Sequence, residues 1–230
     1  MARSRQPAET NPYLVLDSLR EKASRRKLRL FASGCCRERL WPLLTDKRSR
    51  QAVEVAERYA DGAADWPALR AAHAAACAAG EAIRRTHVPR PAADFSVTVA
   101  ANAAQAAAMT AHRQSGARGV AGLVFSTVYY GVGLNDEARR DAERAAHLEL
   151  VRCVFGDTLR PVAFDPAWRT PAAVALARTA YEERRFQELP LLADALEEAG
   201  CTDEAILEHC CNPGPHIRGC WAVDLVLGKG

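Results

Sequence analysis

Apolar residues recur every three or four positions along most of this chain, which is the spacing of the buried face of an α-helix. The segment after Ser24 illustrates the pattern, because basic residues fill the positions between its apolar ones. Its apolar face consists of Leu28, Phe31, Cys35 and Leu40. Pro42 should end or kink this helix, since proline lacks the backbone N–H that a helix interior uses.

Capping and helix-breaking residues mark where the predicted helices begin and end. Asn11-Pro12 and Thr170-Pro171 each place a capping side chain before a proline in the first helical turn, Asp46 can cap a third helix, and Thr202 opens another. Glycines follow four predicted helix ends: Gly62, Gly156, Gly200 and Gly228. With no strand signal, the sequence predicts an all-α fold of nine or ten helices, as a compact multi-helix bundle or a short α-solenoid-like array.

The clearest break in the pattern is Val88-Pro89-Arg90-Pro91. A chain of 230 residues suits one large domain or two small ones. We therefore expect a single helical domain over residues 1–230, with subdomains 1–87 and 92–230 as the alternative division.

The net charge of +3 conceals two opposite charge blocks. Residues 19–50 contain eleven Lys or Arg against three Asp or Glu, whereas residues 186–211 contain seven Asp or Glu and no Lys or Arg. Clustered basic residues on a helix can contact nucleic-acid phosphates, and the candidates are Arg25, Arg26, Lys27 and Arg29. No nucleic-acid reading motif accompanies them, so we favour engagement of the acidic block, within the molecule or in a second copy.

Eight cysteines include two adjacent pairs, Cys35-Cys36 and Cys210-Cys211, and the polar N-terminal residues do not resemble a secretory signal. These features favour reduced thiols and a cytoplasmic location. The most apolar run, 120–134, is too short and glycine-interrupted to span a bilayer, so no membrane association is expected. Arg37 and Arg39 beside the first pair would lower a thiol pKa and make it reactive, if the thiol is accessible.

Six soft or borderline metal ligands lie near the C-terminus: Cys201, His209, Cys210, Cys211, His216 and Cys220. Zinc takes four such ligands. If the last helix begins after the Asn212–Pro215 turn, His216 and Cys220 share one helical face, and Cys210 or Cys211 can fold back onto them. The candidate metal site is therefore Cys210, Cys211, His216 and Cys220, with His209 or Cys201 as the alternative fourth ligand.

The competing interpretation of these cysteines is a core without a cofactor. The segment lacks the Cys-x-x-Cys pairs of many structural zinc sites, and adjacent cysteines leave a helix in different directions. In that case His216 caps a helix start. We favour this second interpretation, and we expect Trp221 to be largely buried on a face shared with Ile217 and Leu225.

Motifs of common enzymes are missing. The chain contains no Gly-x-Ser-x-Gly, no phosphate-binding Gly-x-x-x-x-Gly-Lys-Ser/Thr and no His-Glu-x-x-His. Glu143 and His147 are four residues apart rather than the three of di-iron helical bundles. The sequence therefore favours a non-catalytic protein.

Three stretches, residues 23–59, 155–168 and 189–229, carry a family resemblance over roughly half of the chain. They include S-R-R-K-L-R-L-F after Ala23, L-A-D-A-L-E-E-A-G before Cys201 and P-G-P-H-I-R-G-C-W after Asn212. The chain resembles an uncharacterised bacterial family of helical proteins that occurs as many paralogues, sometimes near SMI1/KNR4-type or repeat-companion proteins. This resemblance implies a bacterial protein with a role in protein interaction and no known activity, and Pro42 departs from the family pattern.

These observations lead to three functional hypotheses. The favoured one is a non-catalytic helical protein–protein interaction module, whose partner is an unknown protein or a second copy. One alternative is a metal-dependent enzyme or metal sensor that uses the C-terminal Cys/His cluster. The other is a nucleic-acid-binding protein that uses the basic N-terminal helices.

Overall fold

A computed structural model describes residues 11–19, 22–85, 96–112, 117–132, 137–156 and 162–229. Within these ranges the chain forms eleven α-helices and no strand, which confirms the predicted all-α class. They are α1 (Pro12–Leu19), α2 (Arg25–Cys35), α3 (Lys47–Ala60), α4 (Trp66–Arg85), α5 (Ser96–Thr110), α6 (Ala117–Val132), α7 (Glu137–Phe155), α8 (Pro171–Glu182), α9 (Leu189–Glu198), α10 (Glu204–Cys211) and α11 (Trp221–Leu227). The predicted count of nine or ten was too low, since the apolar run forms a helix of its own, α6.

Most predicted helix starts are capped by the expected side chains. Asn11, Asp46 and Thr170 each accept a hydrogen bond from a backbone N–H two or three residues later, at 2.8 to 3.2 Å. Helix α10 begins one residue later than expected, because Asp203 rather than Thr202 is its N-cap. These caps satisfy backbone donors that the first helical turn leaves without a partner.

Helix α2 changes its pitch before it ends. The α-helical hydrogen bonding stops at Cys35, a π-helical turn follows over Cys36–Leu40, and a 3₁₀ turn over Trp41–Leu43 contains Pro42. Pro42 thus marks the end of this helical segment, as predicted. A π turn holds one residue more than an α turn, so it rotates the side chains that follow it.

This π turn directs two arginines to different helices. Arg37 donates two hydrogen bonds to the carboxylate of Glu57 on α3, at 2.8 and 2.9 Å. Arg39 pairs with both carboxylate oxygens of Glu143 on α7. Two ion pairs therefore connect the end of α2 to α3 and α7.

The chain divides into two compact units, unit 1 (residues 1–148) and unit 2 (residues 149–230). In unit 1, successive helices from α2 to α6 pack on one another, and α6 also packs on α1 and α2, which closes the helices into a bundle. In unit 2, α8 packs on α9 and α11, and α10 packs on both α9 and α11. The boundary expected at residues 88–91 lies outside the described residues.

Small side chains form much of the core between α3, α4 and α5. Its buried members are Ala52, Val55, Ala56, Leu69, Ala72, Ala76, Ala108 and Ala111. At Gly80 the helices approach so closely that an added Cβ would lie 3.6 Å from the Cβ of Ala104. The alanine-rich sequence therefore supplies helix contacts with little side-chain volume between the backbones.

None of the helices in the described ranges is long and apolar enough to cross a membrane. Most of the apolar run from residue 120 lies in α6, and its described residues Val120, Ala121 and Val124 are buried. This agrees with the predicted role of the run as a core segment.

Candidate metal centre

Four side chains of unit 2 converge into one group, which we call the metal-ligand group: Cys153, His209, His216 and Cys220. Cys153 lies in the last turn of α7 and His209 in the last turn of α10. His216 follows the turn after α10, and Cys220 directly precedes α11. Their ligand atoms all lie within 4.8 Å of one another.

The distances within this group resemble those of a tetrahedral site. His209 Nε2 lies 3.1 Å from Cys220 Sγ, and His216 Nδ1 lies 3.9 Å from Cys153 Sγ and 4.0 Å from Cys220 Sγ. In tetrahedral zinc sites, bonds of about 2.0 to 2.3 Å place neighbouring ligand atoms roughly 3.3 to 3.8 Å apart. Shifts of a few tenths of an ångström would therefore bring these three pairs of atoms to the separations found around a bound zinc ion.

The turn between α10 and α11 orients His216 for coordination. Asn212 Oδ1 accepts a hydrogen bond from the Gly214 backbone N–H at 2.8 Å, which tightens the turn. His216 Nε2 lies 2.9 Å from the Asn212 carbonyl oxygen. A carbonyl only accepts, so Nε2 must carry the proton, and Nδ1 faces the two sulfur atoms. Metal-bound histidines are commonly held by such a second hydrogen bond.

Burial and charge suit a metal-binding thiolate at Cys220. Burial raises the pKa of the Cys220 thiol, but hydrogen bonds with Cys153, His209 and His216 outweigh it and hold the pKa well below its ordinary value. For His216, burial lowers the pKa, while the contact with Cys220 raises it and prevails. A metal ion that binds here displaces protons, because the thiolate and the neutral imidazole are the coordinating forms.

The ligand set matches the charge of a zinc ion. Two thiolates and two neutral imidazoles around Zn²⁺ give a centre with no net charge. Cys153 is 2% exposed and Cys220 is fully buried, so neutrality matters because a net charge buried there would be costly. A mixed sulfur and nitrogen set of four is also the donor set that zinc prefers.

Trp221 packs beside the metal-ligand group and is half-buried. Its ring centroid lies 5.0 Å from that of His209. Gly156, which ends α7 with φ +66, lies so close that an added Cβ would be 3.2 to 3.4 Å from the indole. The expectation that Trp221 is buried is confirmed in part, but the expected helical face shared with Ile217 does not form, because α11 begins only at Trp221.

The ligand set predicted from sequence shares two members, His216 and Cys220, with the metal-ligand group. Cys210 is buried in α10, where desolvation raises its pKa, and Cys211 is exposed. Neither belongs to the group. His216 and Cys220 do not share a helical face, since α11 begins only at Trp221. His209, the alternative fourth ligand, is a member, whereas Cys201 is not.

Cys153 was missed because it is far away in sequence. It lies 56 positions before His209 and on a helix without another member of the group. The one local signal is its position in the last turn before Gly156, a predicted helix end. That signal names neither the partner segment nor a metal.

The basic residues proposed to bind nucleic acid differ in their exposure. Arg25 is exposed, while Arg26 donates from Nε to Asp61 Oδ1 at 3.0 Å. Arg29 is only 4% exposed, and its guanidinium donates to the carbonyl oxygens of Thr110 and His112 at 2.6 and 3.0 Å. The prediction that all four residues form one interaction surface is therefore wrong for Arg29.

Two other groups of cysteine and histidine side chains have structural explanations. Cys35 and Cys36 are fully buried, and desolvation raises the pKa of both thiols, so the predicted reactive thiol is not supported. In α4, Cys77 Sγ lies 3.7 Å from His73 Nε2, and His73 Nδ1 lies 2.9 Å from the Ala108 carbonyl oxygen. This histidine therefore joins α4 to α5.

Comparisons with protein-family models, curated proteins and solved structures found no match to this chain. The resemblance to a bacterial paralogous family therefore stays a prediction. The functional argument rests on the geometry of the chain itself.

Proposed function

We propose that this protein binds zinc, and that unit 2 is folded around one four-coordinate ion held by Cys153, His209, His216 and Cys220. The observation that supports this most is the convergence of four soft ligand atoms within 4.8 Å, from three helix ends and one turn. Contacts between sulfur and imidazole nitrogen already link these side chains in pairs, and a metal ion would join all four segments.

The proposed centre has a structural role. All four positions of a zinc tetrahedron are supplied by side chains, and catalytic zinc sites instead leave one position for water or substrate. Two of the ligands are also nearly inaccessible to solvent. The protein as a whole is then a non-catalytic helical protein, in which metal binding stabilises unit 2.

Metal analysis of the purified full chain tests this proposal. Protein produced without added metal and dialysed against metal-free buffer should contain one zinc ion per chain by plasma mass spectrometry. Cobalt(II) substituted for zinc should show the visible bands of a tetrahedral site and a thiolate-to-cobalt charge-transfer band. Absence of bound metal after reconstitution with zinc under reducing conditions would contradict the proposal.

Two serine variants distinguish the ligand set in the structure from the set suggested by sequence. Cys153→Ser should lose most of the bound zinc, because it removes one of four ligands. Cys211→Ser is the matched control, since it alters an exposed thiol outside the group. Equal zinc contents in the two variants would exclude Cys153 as a ligand.

The opposite charges of the two units favour an interaction role for the whole chain. Unit 1 contains 23 Lys or Arg and 15 Asp or Glu, a formal charge of +8, whereas unit 2 contains 8 and 13, a charge of −5. Such a charge distribution promotes association with a charged partner or with a second copy. Sedimentation velocity should then show self-association that weakens as salt increases. A monomer at every salt and protein concentration would exclude the second copy as the partner.

A further inference from the structure

Cys153 and Cys220 are the two sulfur ligands of the metal-ligand group, and their Sγ atoms lie within 4.8 Å of each other. A disulfide bond requires about 2.05 Å between these atoms. Cys153 is fixed within α7, but Cys220 lies in the turn before α11, next to Gly219 with φ +88. A change in this turn can therefore move Cys220 towards Cys153 without unwinding a helix.

We propose that Cys153 and Cys220 form a reversible disulfide that excludes the metal, so that the centre switches between a zinc-bound and a cross-linked state. The zinc-bound state rests on the function proposed above. The cross-linked state does not, because it needs only the two thiols. The oxidant is a small peroxide.

The chemistry of the switch balances with hydrogen peroxide as the oxidant. One thiolate attacks a peroxide oxygen to give a sulfenic acid, with loss of hydroxide, and the second thiolate then attacks the sulfenic sulfur and displaces a second hydroxide. The two sulfur atoms lose two electrons in total, and the peroxide gains them. Two protons from solvent convert the hydroxides to water, and Zn²⁺ leaves because both of its anionic ligands are consumed.

The partly exposed side of the site gives peroxide a route to these buried thiols. His209 and His216 are both half-buried, and Asn212 and Pro213 beside them are exposed. The imidazoles therefore separate the sulfur atoms from solvent by a single layer of side chains. Displacement of one imidazole would open this side to an oxidant as small as peroxide and provide an exit for the metal.

Among the other cysteines, Cys210 is the main competitor, because it interacts with both Cys220 and Cys201. Cys210 is near Cys220 but outside the metal-ligand group, and Cys211 is exposed. Cys35 and Cys36 are adjacent in a helical segment, where neighbouring side chains diverge. Peroxide should therefore select the pair Cys153 and Cys220.

The test treats the full chain with hydrogen peroxide in two forms, zinc-loaded and stripped by a chelator. Remaining thiols are alkylated, and cross-linked peptides are identified by mass spectrometry, while released zinc is measured with a chromophoric chelator. The stripped form should give a peptide pair containing Cys153 and Cys220. The zinc-loaded form should give the same pair more slowly, with release of one zinc ion for each disulfide, and dithiothreitol should restore zinc binding.

Control variants and alternative outcomes make the proposal falsifiable. Cys211→Ser should behave as the parent chain does, whereas Cys153→Ser should give no intramolecular cross-link to Cys220. A cross-link of Cys220 to Cys210 or Cys211, over-oxidation without a cross-link, or a disulfide that forms while zinc remains bound would each overturn the switch. A chain that never binds zinc but forms this disulfide would contradict the metal centre and the zinc-bound half of the switch, and would support the disulfide.

Discussion

Units 1 and 2 each bury a group of titratable side chains, but they balance the buried charge in different ways. In unit 1, Glu143 is 3% exposed and pairs with Arg39, while His147 Nδ1 donates to the Glu143 carbonyl oxygen at 2.9 Å. In unit 2, the metal-ligand group consists of two thiols and two imidazoles, and Cys220 and His216 favour each other's charged forms. The charge of the first group is balanced by an arginine side chain of the protein, whereas the second group is suited to bind a metal cation from solution.

This difference shows what identifies a metal site among buried polar residues. A carboxylate beside a guanidinium is satisfied by the fold and needs no further partner. Two thiols and two imidazoles instead hold exchangeable protons, and when these protons leave they provide four soft donor atoms to a metal ion. The composition of a cluster, and not its burial alone, therefore points to an exogenous ion.

The largest expected effect comes from removal of the metal. If the free zinc concentration is a thousand times the dissociation constant of the site, addition of a chelator should lower the stability of unit 2 by about 4 kcal/mol. His216→Ala should abolish that zinc-dependent gain, because it removes one ligand of four. Calorimetry with and without chelator measures this. If the chelator leaves the thermal transition of the parent chain unchanged, a metal ion does not stabilise unit 2, and the two units do not differ in this way.

The next largest effect is expected in unit 1, at the ion pair. Arg39→Met leaves the Glu143 carboxylate buried without its cation and should cost about 3 kcal/mol. This value lies at the lower end of the range for breaking a buried ion pair, because the Arg39 side chain is 36% exposed and solvent screens its charge.

Denaturant titration of Arg39→Met, Glu143→Leu and the double variant measures that cost. The double variant should recover part of the stability, since no unpaired charge remains. If Arg39→Met changes the free energy of unfolding by less than about 1 kcal/mol, the pair does not balance the buried charge.

A smaller effect is expected where Gly156 meets Trp221. Gly156→Ala should cost about 1 to 2 kcal/mol, because φ is +66 and the new Cβ would meet the indole at 3.2 to 3.4 Å. It should also weaken zinc binding, since Trp221 packs on His209. Gly62→Ala is the matched control in unit 1, with φ +73 and no atom within 4 Å of the added Cβ. It should lower stability without changing zinc affinity.

The smallest effect is a pH dependence from His147. Burial lowers the pKa of this imidazole below its ordinary 6.5, against the opposing effect of Glu143. The unfolded chain therefore takes up a proton below about pH 6.5 that the folded chain does not, and stability falls by up to about 1.4 kcal/mol per pH unit. His147→Gln should remove this contribution. Urea titrations between pH 7 and 5 measure the free energy of unfolding at each pH. If His147 does not contribute, this free energy changes equally with pH in the parent chain and in the variant.

Local features of the fold were predictable because they are encoded within a few residues. The caps at Asn11, Asp46 and Thr170 each depend on one side chain and a backbone N–H nearby, and glycines end helices by adopting positive φ. The helical class follows from periodicity over each segment. These signals require no knowledge of tertiary structure.

The candidate site was only half predictable, because its ligands come from distant segments. His216 and Cys220 were recognised from their proximity in sequence, but Cys153 arrives on α7 by tertiary packing. The burial of Arg29 is similar, since its acceptors are carbonyl groups of residues 110 and 112 at the end of α5. Sequence periodicity shows on which face of its helix a side chain lies, but not which segment of the folded chain it contacts.

The π turn at Cys36–Leu40 gives this chain an unusual sensitivity to a one-residue deletion. Such a turn is equivalent to an α-helix with one inserted residue, so deletion of a residue would restore regular pitch. Side chains beyond the turn would keep their orientation, whereas Arg37 and Arg39 within it would rotate towards regular α-helical positions. Arg39 would turn away from Glu143 while Glu57 and Glu143 kept their places, so loss of one codon would affect two helices that it does not encode.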